Sequence, residues 1–406
     1  GACGADSSAA MRFGRFSSDT TLGINERDRA ELGAEGIESL GGWDSAAASD
    51  ALGGWTLDSH HSYDTWSRTL HRGDGTDHRA SSTSRVVSPL AAVPGAGNAA
   101  MAPAPDGSLY VVGGGHWNQI FRISQAGQVT LAAGNAQYGF SGDGPTPAAD
   151  AEFDTIRGLA VGPDGSLYVS DFGNRRVRRV SPSGQVTTLA GNGTRSGRIE
   201  GAGTAVQMPA PAGLDVAPDG TVYVANVGYY FSGHGGYVAK IAPGGEVSLF
   251  LGREDGDWSS FSEGRVGSQT SADSISDVAV MPDGSVLVAE ASQGTVRRIG
   301  ADGITTRFAG GGSVDADGVS ATLARLSGLH TVDRAPDGTV FLGTNDLIRR
   351  VLPDGTITTV AGTGAMVSEA AGKRGEPASQ VRVGPVQSLA VTSDGSVYFE
   401  DAPIST

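Results

Sequence analysis

One short phrase occurs six times along this chain, and it constrains the fold more than any other feature. Each copy joins a turn of the type Pro-Asp-Gly, or once Ser-Asp-Gly, to an apolar stretch, and the copies begin at Pro105, Pro163, Pro218, Pro282, Pro336 and Ser393. Consecutive copies begin 54 to 64 residues apart. A period of this size is typical of β-propeller blades or of another array of supersecondary units. The repeat predicts little about function, because propellers host binding, scaffolding and catalysis alike.

The second repeat shows most clearly how one blade is encoded. Its turn, Pro163-Asp164-Gly165, suits a tight hairpin because proline presets φ and glycine accepts a positive φ. Similar turn residues separate four short apolar stretches, at 158–161, 166–169, 176–180 and 186–190. Four short antiparallel strands joined in this way form one propeller blade.

The two ends of the chain predict how the array closes. Only residues 400–406 follow the sixth phrase, so the last repeat contributes two strands. Ser84–Val87 and Leu90–Val93 are predicted as its missing third and fourth strands. Closure by strands from both termini leaves no exposed sheet edge. We therefore expect an all-β, six-bladed propeller over residues 84–406, closed by N- and C-terminal strands in one chain or by strand exchange between copies.

The first eighty residues differ in character from the repeats. Residues 1–50 are rich in Ala, Gly, Ser and Asp and predict a low-complexity arm, with a short acidic helix over Asn25–Leu40. Residues 51–83 predict a small β segment with two strands, Gly54–Tyr63 and Arg68–Arg72, followed by a Gly-Asp-Gly turn.

Two stretches resemble known families. Gly158–Gly191, which ends in Thr-Thr-Leu-Ala-Gly, resembles an NHL repeat, the blade unit of six-bladed NHL propellers, and that resemblance extends over residues 84–401. Leu52–Gly75 carries Trp-Thr-Leu, His-His, Tyr-Asp and Gly-Asp-Gly in that order, and resembles the segment before the propeller in bacterial YD-repeat (Rhs, teneurin-like) proteins. The resemblance implies an extracellular or cell-surface bacterial protein. The chain has no YD repeats, so it is either a processed fragment of a longer protein or a stand-alone relative.

Composition excludes several classes of function. The net charge of −15 argues against a nucleic-acid-binding surface, which would be basic. The one cysteine, Cys3, permits neither an intrachain disulfide nor a cysteine-rich metal site. No apolar run approaches the ~18 residues that a membrane-spanning helix needs. The arginine pairs of the third strands, such as Arg178-Arg179, are predicted to lie on solvated strand faces.

Residues expected around a central funnel suggest one catalytic alternative. The loops after the second strands carry oxygen donors, Asp171, Asn226 and Glu290, and His330 begins a first strand. Such groups can bind calcium or zinc, and Arg157 could then bind an anionic substrate in a metal-dependent lyase or hydrolase. The competing interpretation is that these loop side chains satisfy backbone amides.

Aromatic residues suggest the other alternative, a binding surface. Tyr229, Tyr230 and Phe231 lie in a loop insertion of the third repeat, and Trp258 lies in a neighbouring loop. Aromatic side chains on a rigid scaffold are typical contact anchors, although these could also pack on one another. We therefore predict a non-catalytic binding or structural module with no resident cofactor, whose partner is another protein or a second copy. A filament formed by strand exchange and the metal-dependent enzyme remain the alternatives.

Overall fold

The computed structural model describes most of the repeat region and five strands before it. The described residues are the strands Met11–Ser17, Trp55–His61, Trp66–Arg72, Asp77–Ser82 and Val86–Val93, together with residues 100–141, 143–144, 146–195, 198–227, 235–252, 263–364, 378, 382–392 and 395–401. The chain divides into two compact units. The first contains Gly1–Arg15, Pro89–Gly372 and Ser379–Thr406, and the second contains Phe16–Ser88 and Lys373–Ala378.

The second unit contains a three-stranded antiparallel sheet. Its strands lie in the order Trp55–His61, Trp66–Arg72 and Asp77–Ser82. The first two correspond to the predicted strands, and the third was not predicted. The boundaries proposed from the sequence for this segment stay a prediction.

Five antiparallel blades follow one another along the first unit, which is therefore a β-propeller. Blade 1 contains Met101–Pro103, Leu109–Gly113, Gln119–Ile123 and Val129–Ala133; blade 2 contains Ile156–Val161, Leu167–Asp171, Arg176–Val180 and Val186–Ala190; blade 3 contains Pro211–Val216, Val222–Asn226, Tyr237–Ile241 and Glu246–Leu251; blade 4 contains Ile275–Val280, Val286–Glu290, Thr295–Ile299 and Thr305–Gly310; and blade 5 contains Thr331–Arg334, Val340–Gly343, Ile348–Val351 and Thr356–Ala361. The short strands Gly201–Ala202 and Val319–Ser320 add to the outer edges of blades 3 and 5. Single 3₁₀ turns occur at Ala148–Asp150, Gly203–Ala205, Gly267–Gln269 and Ala321–Leu323.

The repeated turn has the conformation that its sequence predicts. In blade 2, Gly165 has a φ of 76°, and the Asp164 carboxylate accepts a hydrogen bond of 3.0 Å from the Ser166 N–H. The apolar strand residues then pack between neighbouring blades. Val177 of blade 2 and Val224 of blade 3, for example, belong to one buried cluster. The core is therefore a series of layers between blades.

A further four-stranded sheet combines both ends of the chain, in the order Leu389–Val391, Val397–Asp401, Met11–Ser17 and Val86–Val93. The prediction of separate strands at Ser84–Val87 and Leu90–Val93 is wrong, because Val86–Val93 forms one strand. It contains Pro89 and lies at the outer position, where a missing N–H is tolerated. Residues predicted as a low-complexity arm supply the third strand.

The predicted fold is confirmed as an all-β propeller with five blades of consecutive strands. Six blades and the closure of a ring are not confirmed. The predicted helix over Asn25–Leu40 lies outside the described residues. Within the described part, no helix has the length and apolar character needed to cross a bilayer.

Candidate functional site

A cavity of about 260 Å³ lies where the first strands of the blades meet. The first strands of blades 1 to 5 line it, as does the stretch 387–391. Each first strand pairs with the second strand of its own blade on one side only. The other edge, with every second backbone N–H, therefore faces the cavity.

Asp215 joins the first strands of blades 3 and 4 at this edge. Its Oδ1 accepts a hydrogen bond from the Val216 N–H at 2.7 Å, and its Oδ2 accepts one from the Val280 N–H of blade 4 at 2.8 Å. The side chain satisfies two edge N–H groups that have no partner strand, and so links two blades.

Asp333 makes the same arrangement two blades further along the chain, between blade 5 and the terminal sheet. Its Oδ1 accepts from the Arg334 N–H at 2.7 Å, and its Oδ2 accepts from the Val391 N–H at 2.7 Å. Asp215 and Asp333 both stand three residues before the proline of their Pro-Asp-Gly turn. The guanidinium of Arg334 lies 3.6 Å from a carboxylate oxygen of each, which balances part of their charge.

Asp277 links blades 4 and 5 in a second layer of the channel. Its Oδ1 accepts from the Val278 N–H at 2.9 Å, and its Oδ2 accepts from the Thr331 hydroxyl at 2.7 Å and the Val332 N–H at 3.1 Å. At the equivalent position of the terminal sheet, Ser388 Oγ accepts from the Met101 N–H at 3.2 Å.

Burial changes the acidity of these carboxyl groups. Loss of solvation raises the pKa of Asp277 to about 7 against the effect of its hydrogen bonds. Loss of solvation also raises the pKa of Asp333 to about 6, with Arg334 opposing the rise and Asp215 adding to it. The channel therefore holds acids that titrate near neutral pH, although their visible role is structural.

Two of the sequence-predicted site residues line this cavity, Arg157 and His330. The Arg157 guanidinium carbon lies 3.7 Å from the centre of the Phe172 ring, and the side chain is exposed. His330 Nε2 lies 2.9 Å from the Asn345 side-chain oxygen, which orients the imidazole.

The other predicted metal ligands lie away from the cavity lining, at the ends of second strands. Asp171 forms an ion pair of 3.3 Å with Arg178, and Glu290 forms one of 2.5 Å with Arg297. The Asn226 side-chain oxygen accepts a hydrogen bond of 3.4 Å from the Ala210 N–H. These carboxylates join the second and third strands inside their own blades.

Metal binding stays a prediction. Among the described residues, no three His, Cys, Asp or Glu side chains lie close enough together to hold an ion. The strand-end acids are separated because each belongs to a different blade. Tyr229, Tyr230, Phe231 and Trp258 lie outside the described residues, and their role as contact anchors also stays a prediction.

The prediction that the third-strand arginine pairs are solvated is wrong for the first member of each pair. Arg178, Arg297 and Arg349 are almost fully buried. Arg179 and Arg298 do reach the surface, where they bind the turn residues Asp164 and Asp283. A buried guanidinium is stabilised by an acidic partner, and blades 2, 4 and 5 each supply one from a strand end or a connecting loop.

Sequence reasoning missed Asp215, Asp333 and Arg334. Alignment of the six repeats on their turns would have shown an acid three residues before the turn in blades 3 and 5 and alanine in the others. The sequence shows this contrast between aspartate and alanine, but the partners of the two acids depend on which strands meet at the axis.

About half of the chain is similar in sequence to teneurins. Mouse teneurin-3 (Mus musculus) is 29% identical over 239 residues, which cover 50% of this chain and 8% of teneurin-3. Human teneurin-4 (Homo sapiens) is 29% identical over 240 residues, with the same two coverages. The chain thus matches less than a tenth of the length of these relatives. No family profile matches it.

Solved propellers resemble the chain more distantly. An auxiliary nutrient binding protein from Bacteroides thetaiotaomicron is 13% identical, with a TM-score of 0.49 over 83% of each chain. A gluconolactonase from Xanthomonas campestris is 14% identical, with a TM-score of 0.48 over 79% of this chain and 90% of the other. The propeller assignment rests on the strand pairing described above.

Proposed function

We propose that this chain is a non-catalytic, teneurin-like propeller module of a cell-surface or extracellular protein, which binds another protein or holds a larger assembly together. The observation that carries the proposal is that the acids expected to serve a metal-dependent site are engaged in the framework. Asp171 and Glu290 hold buried arginines, and Asp215, Asp277 and Asp333 hold the edges of neighbouring first strands. The similarity to teneurin-3 and teneurin-4 supports the location.

We also propose that the terminal sheet serves as a sixth, NHL-type blade. Three observations support this: the sheet has four strands, its strand Leu389–Val391 contacts the first strands of blades 5 and 1, and its Ser388 accepts from Met101 as Asp277 accepts from Val332. Strands from both ends would then hold the ring together.

Glu290→Ala separates the proposal from the enzymatic alternative. If Glu290 is a framework residue, its loss removes the carboxylate that lies 2.5 Å from the buried Arg297 guanidinium and lowers the free energy of unfolding by about 3–5 kcal/mol. The metal content of the purified protein, measured by inductively coupled plasma mass spectrometry, should not change. A folded variant of unchanged stability that loses bound zinc or calcium would establish the metal-dependent enzyme instead. Glu246→Ala, at an exposed position of blade 3, is the control.

Strand exchange between copies is the second candidate, supported by a sheet that draws two strands from each end of the chain. Light scattering after size-exclusion chromatography should then show assemblies that disappear when residues 1–94 are removed. Assemblies that persist after the deletion would rule out exchange of these strands.

A further inference from the structure

The edge N–H groups of the first strands follow a strict alternation. The backbone donors to Asp215, Asp277, Asp333 and Ser388 all stand two or four residues before the first residue of a Pro-Asp-Gly or Ser-Asp-Gly turn. The intervening N–H groups bond to the second strand, as Ala217 does to Thr221. The same alternation directs the N–H groups of Leu159 in blade 2 and Leu214 in blade 3 towards the cavity.

One layer is formed by the residues that stand two before each turn. In this layer, side chains of the protein accept from almost every backbone N–H that faces the cavity. Asp215 and Asp333 hold four of these N–H groups. In blade 1 this position is Pro103, which has no N–H to donate. The residue before it is Ala102, whose side chain has no acceptor. Only the Val161 N–H of blade 2 lacks an equivalent side-chain partner among the described residues.

In the layer four residues before the turn, blades 2 and 3 differ from blade 4. Asp277 bridges Val278 and Val332, but its position is taken by Gly158 in blade 2 and by Gly213 in blade 3. A Cβ on Gly158 would lie 2.2 Å from the Ala212 carbonyl oxygen, so a side chain cannot be placed there. No side chain at position 158 can therefore bridge Leu159 and Leu214 as Asp277 bridges Val278 and Val332.

One cationic side chain lines the same cavity. Arg157 directly precedes Gly158, lines the cavity and rests on the Phe172 ring. Stacking on the ring places the planar guanidinium at the blade 2 side of the channel. A cavity that presents both a guanidinium and backbone N–H groups is suited to a carboxylate.

We propose that the channel binds a small monocarboxylate between blades 2 and 3, with the N–H groups of Leu159 and Leu214 and the guanidinium of Arg157 as its donors. The bound group would accept from the N–H groups of two neighbouring blades, as the Asp277 carboxylate does between blades 4 and 5. A cavity of about 260 Å³ has room for such a molecule. Because Asp277 faces the same cavity, a second negative charge on the ligand would be unfavourable. This site does not depend on the binding role proposed above, and either proposal can fail alone.

Acetate is the probe, with chloride at equal ionic strength as the reference. Acetate should slow hydrogen–deuterium exchange at the amides of Leu159 and Leu214 in the unmodified protein, measured by NMR. In calorimetric titrations Arg157→Gln should weaken acetate binding about tenfold, the effect of losing one charge-assisted hydrogen bond. Arg179→Gln is the matched control, because that blade 2 arginine binds Asp164 at the surface.

Unchanged exchange at both amides would overturn the proposal, whether or not the Arg157 variant folds. Equal acetate affinity in the two arginine variants would also overturn it. Inorganic phosphate provides the last comparison, and tighter binding of phosphate than of acetate would exclude a site built for a monocarboxylate.

Discussion

Asp277 combines burial with three hydrogen bonds, and burial has the larger effect, raising its pKa to about 7. An unfolded aspartate has a pKa of about 3.9. Between these values the folded state binds a proton that the unfolded state has released, so acidification from pH 8 to pH 5 raises the free energy of unfolding. We expect Asp277→Asn to reduce this rise, as measured by urea denaturation at several pH values.

Asp302→Asn is the control for that residue, because the Asp302 side chain is exposed and holds only the local Ile304 N–H. Asp277→Asn should change the pH dependence more than this control does. Asp333 and Asp171 will still contribute in both variants, since burial raises the pKa of each to about 6. The same pH slope in the wild type and Asp277→Asn would contradict the assignment.

At the scale of elements, the loops that connect two blades form hydrogen bonds to strands of the blade that follows. Before blade 5, Asp317 accepts from the N–H and hydroxyl of Thr359, both at 2.9 Å, and from Arg349 at 3.0 Å. Before blade 2, Asp143 accepts from the Thr188 hydroxyl at 2.7 Å and from Arg178 at 3.3 Å. The Asp-rich loops of the sequence thus tie a connection to the outer strand of its blade.

Asp317→Ala should lower the free energy of unfolding by about 1–3 kcal/mol, because it leaves the buried Arg349 guanidinium without its carboxylate. Asp315→Ala is a matched control in the same loop, since that acid is 72% exposed and lies 3.5 Å from the exposed Arg325. Its effect should stay within about 0.5 kcal/mol. Equal losses in urea denaturation would show that the loop, and not the buried pair, sets the stability.

Across the whole molecule, the links between first strands are distributed unevenly. Asp215, Asp277, Asp333 and Ser388 connect blades 3, 4 and 5, the terminal sheet and blade 1, whereas the matching positions facing blades 2 and 3 hold Ala100, Ala102, Gly158 and Ala160. Among the described residues, the region around blade 2 has no side-chain link of this kind between first strands. Without a bound ligand it should open more readily than the linked region.

Native-state hydrogen exchange measures this difference. The amides of Val280, Val332 and Val391 should exchange slowly, and those of Leu159 and Leu214 quickly. Asp333→Ala should move Val391 to the fast group and leave Val280, which Asp215 holds, in the slow group. Slow exchange at all five amides in ligand-free protein would contradict the uneven linkage.

The sequence by itself determined the blade. Alternating apolar residues and Asp-Gly turns act over a few residues, so the strands of blade 2 and the hairpin at Gly165 follow from local chemistry. It also identified Arg157 and His330 as residues of the channel. The predicted metal site of Asp171, Asn226 and Glu290 relied on a position shared by all repeats. In the structure the two acids, Asp171 and Glu290, form ion pairs within their own blades.

Only the tertiary structure decided which residues of neighbouring blades contact each other. Asp215 and Val280 are 65 residues apart, and Asp333 and Val391 are 58 apart, so no local pattern shows that they touch. The same holds for Met11–Ser17, which joins a sheet with strands from the other end of the chain. Local periodicity sets each strand and turn, but the partner of an edge N–H depends on how successive blades are arranged around the axis.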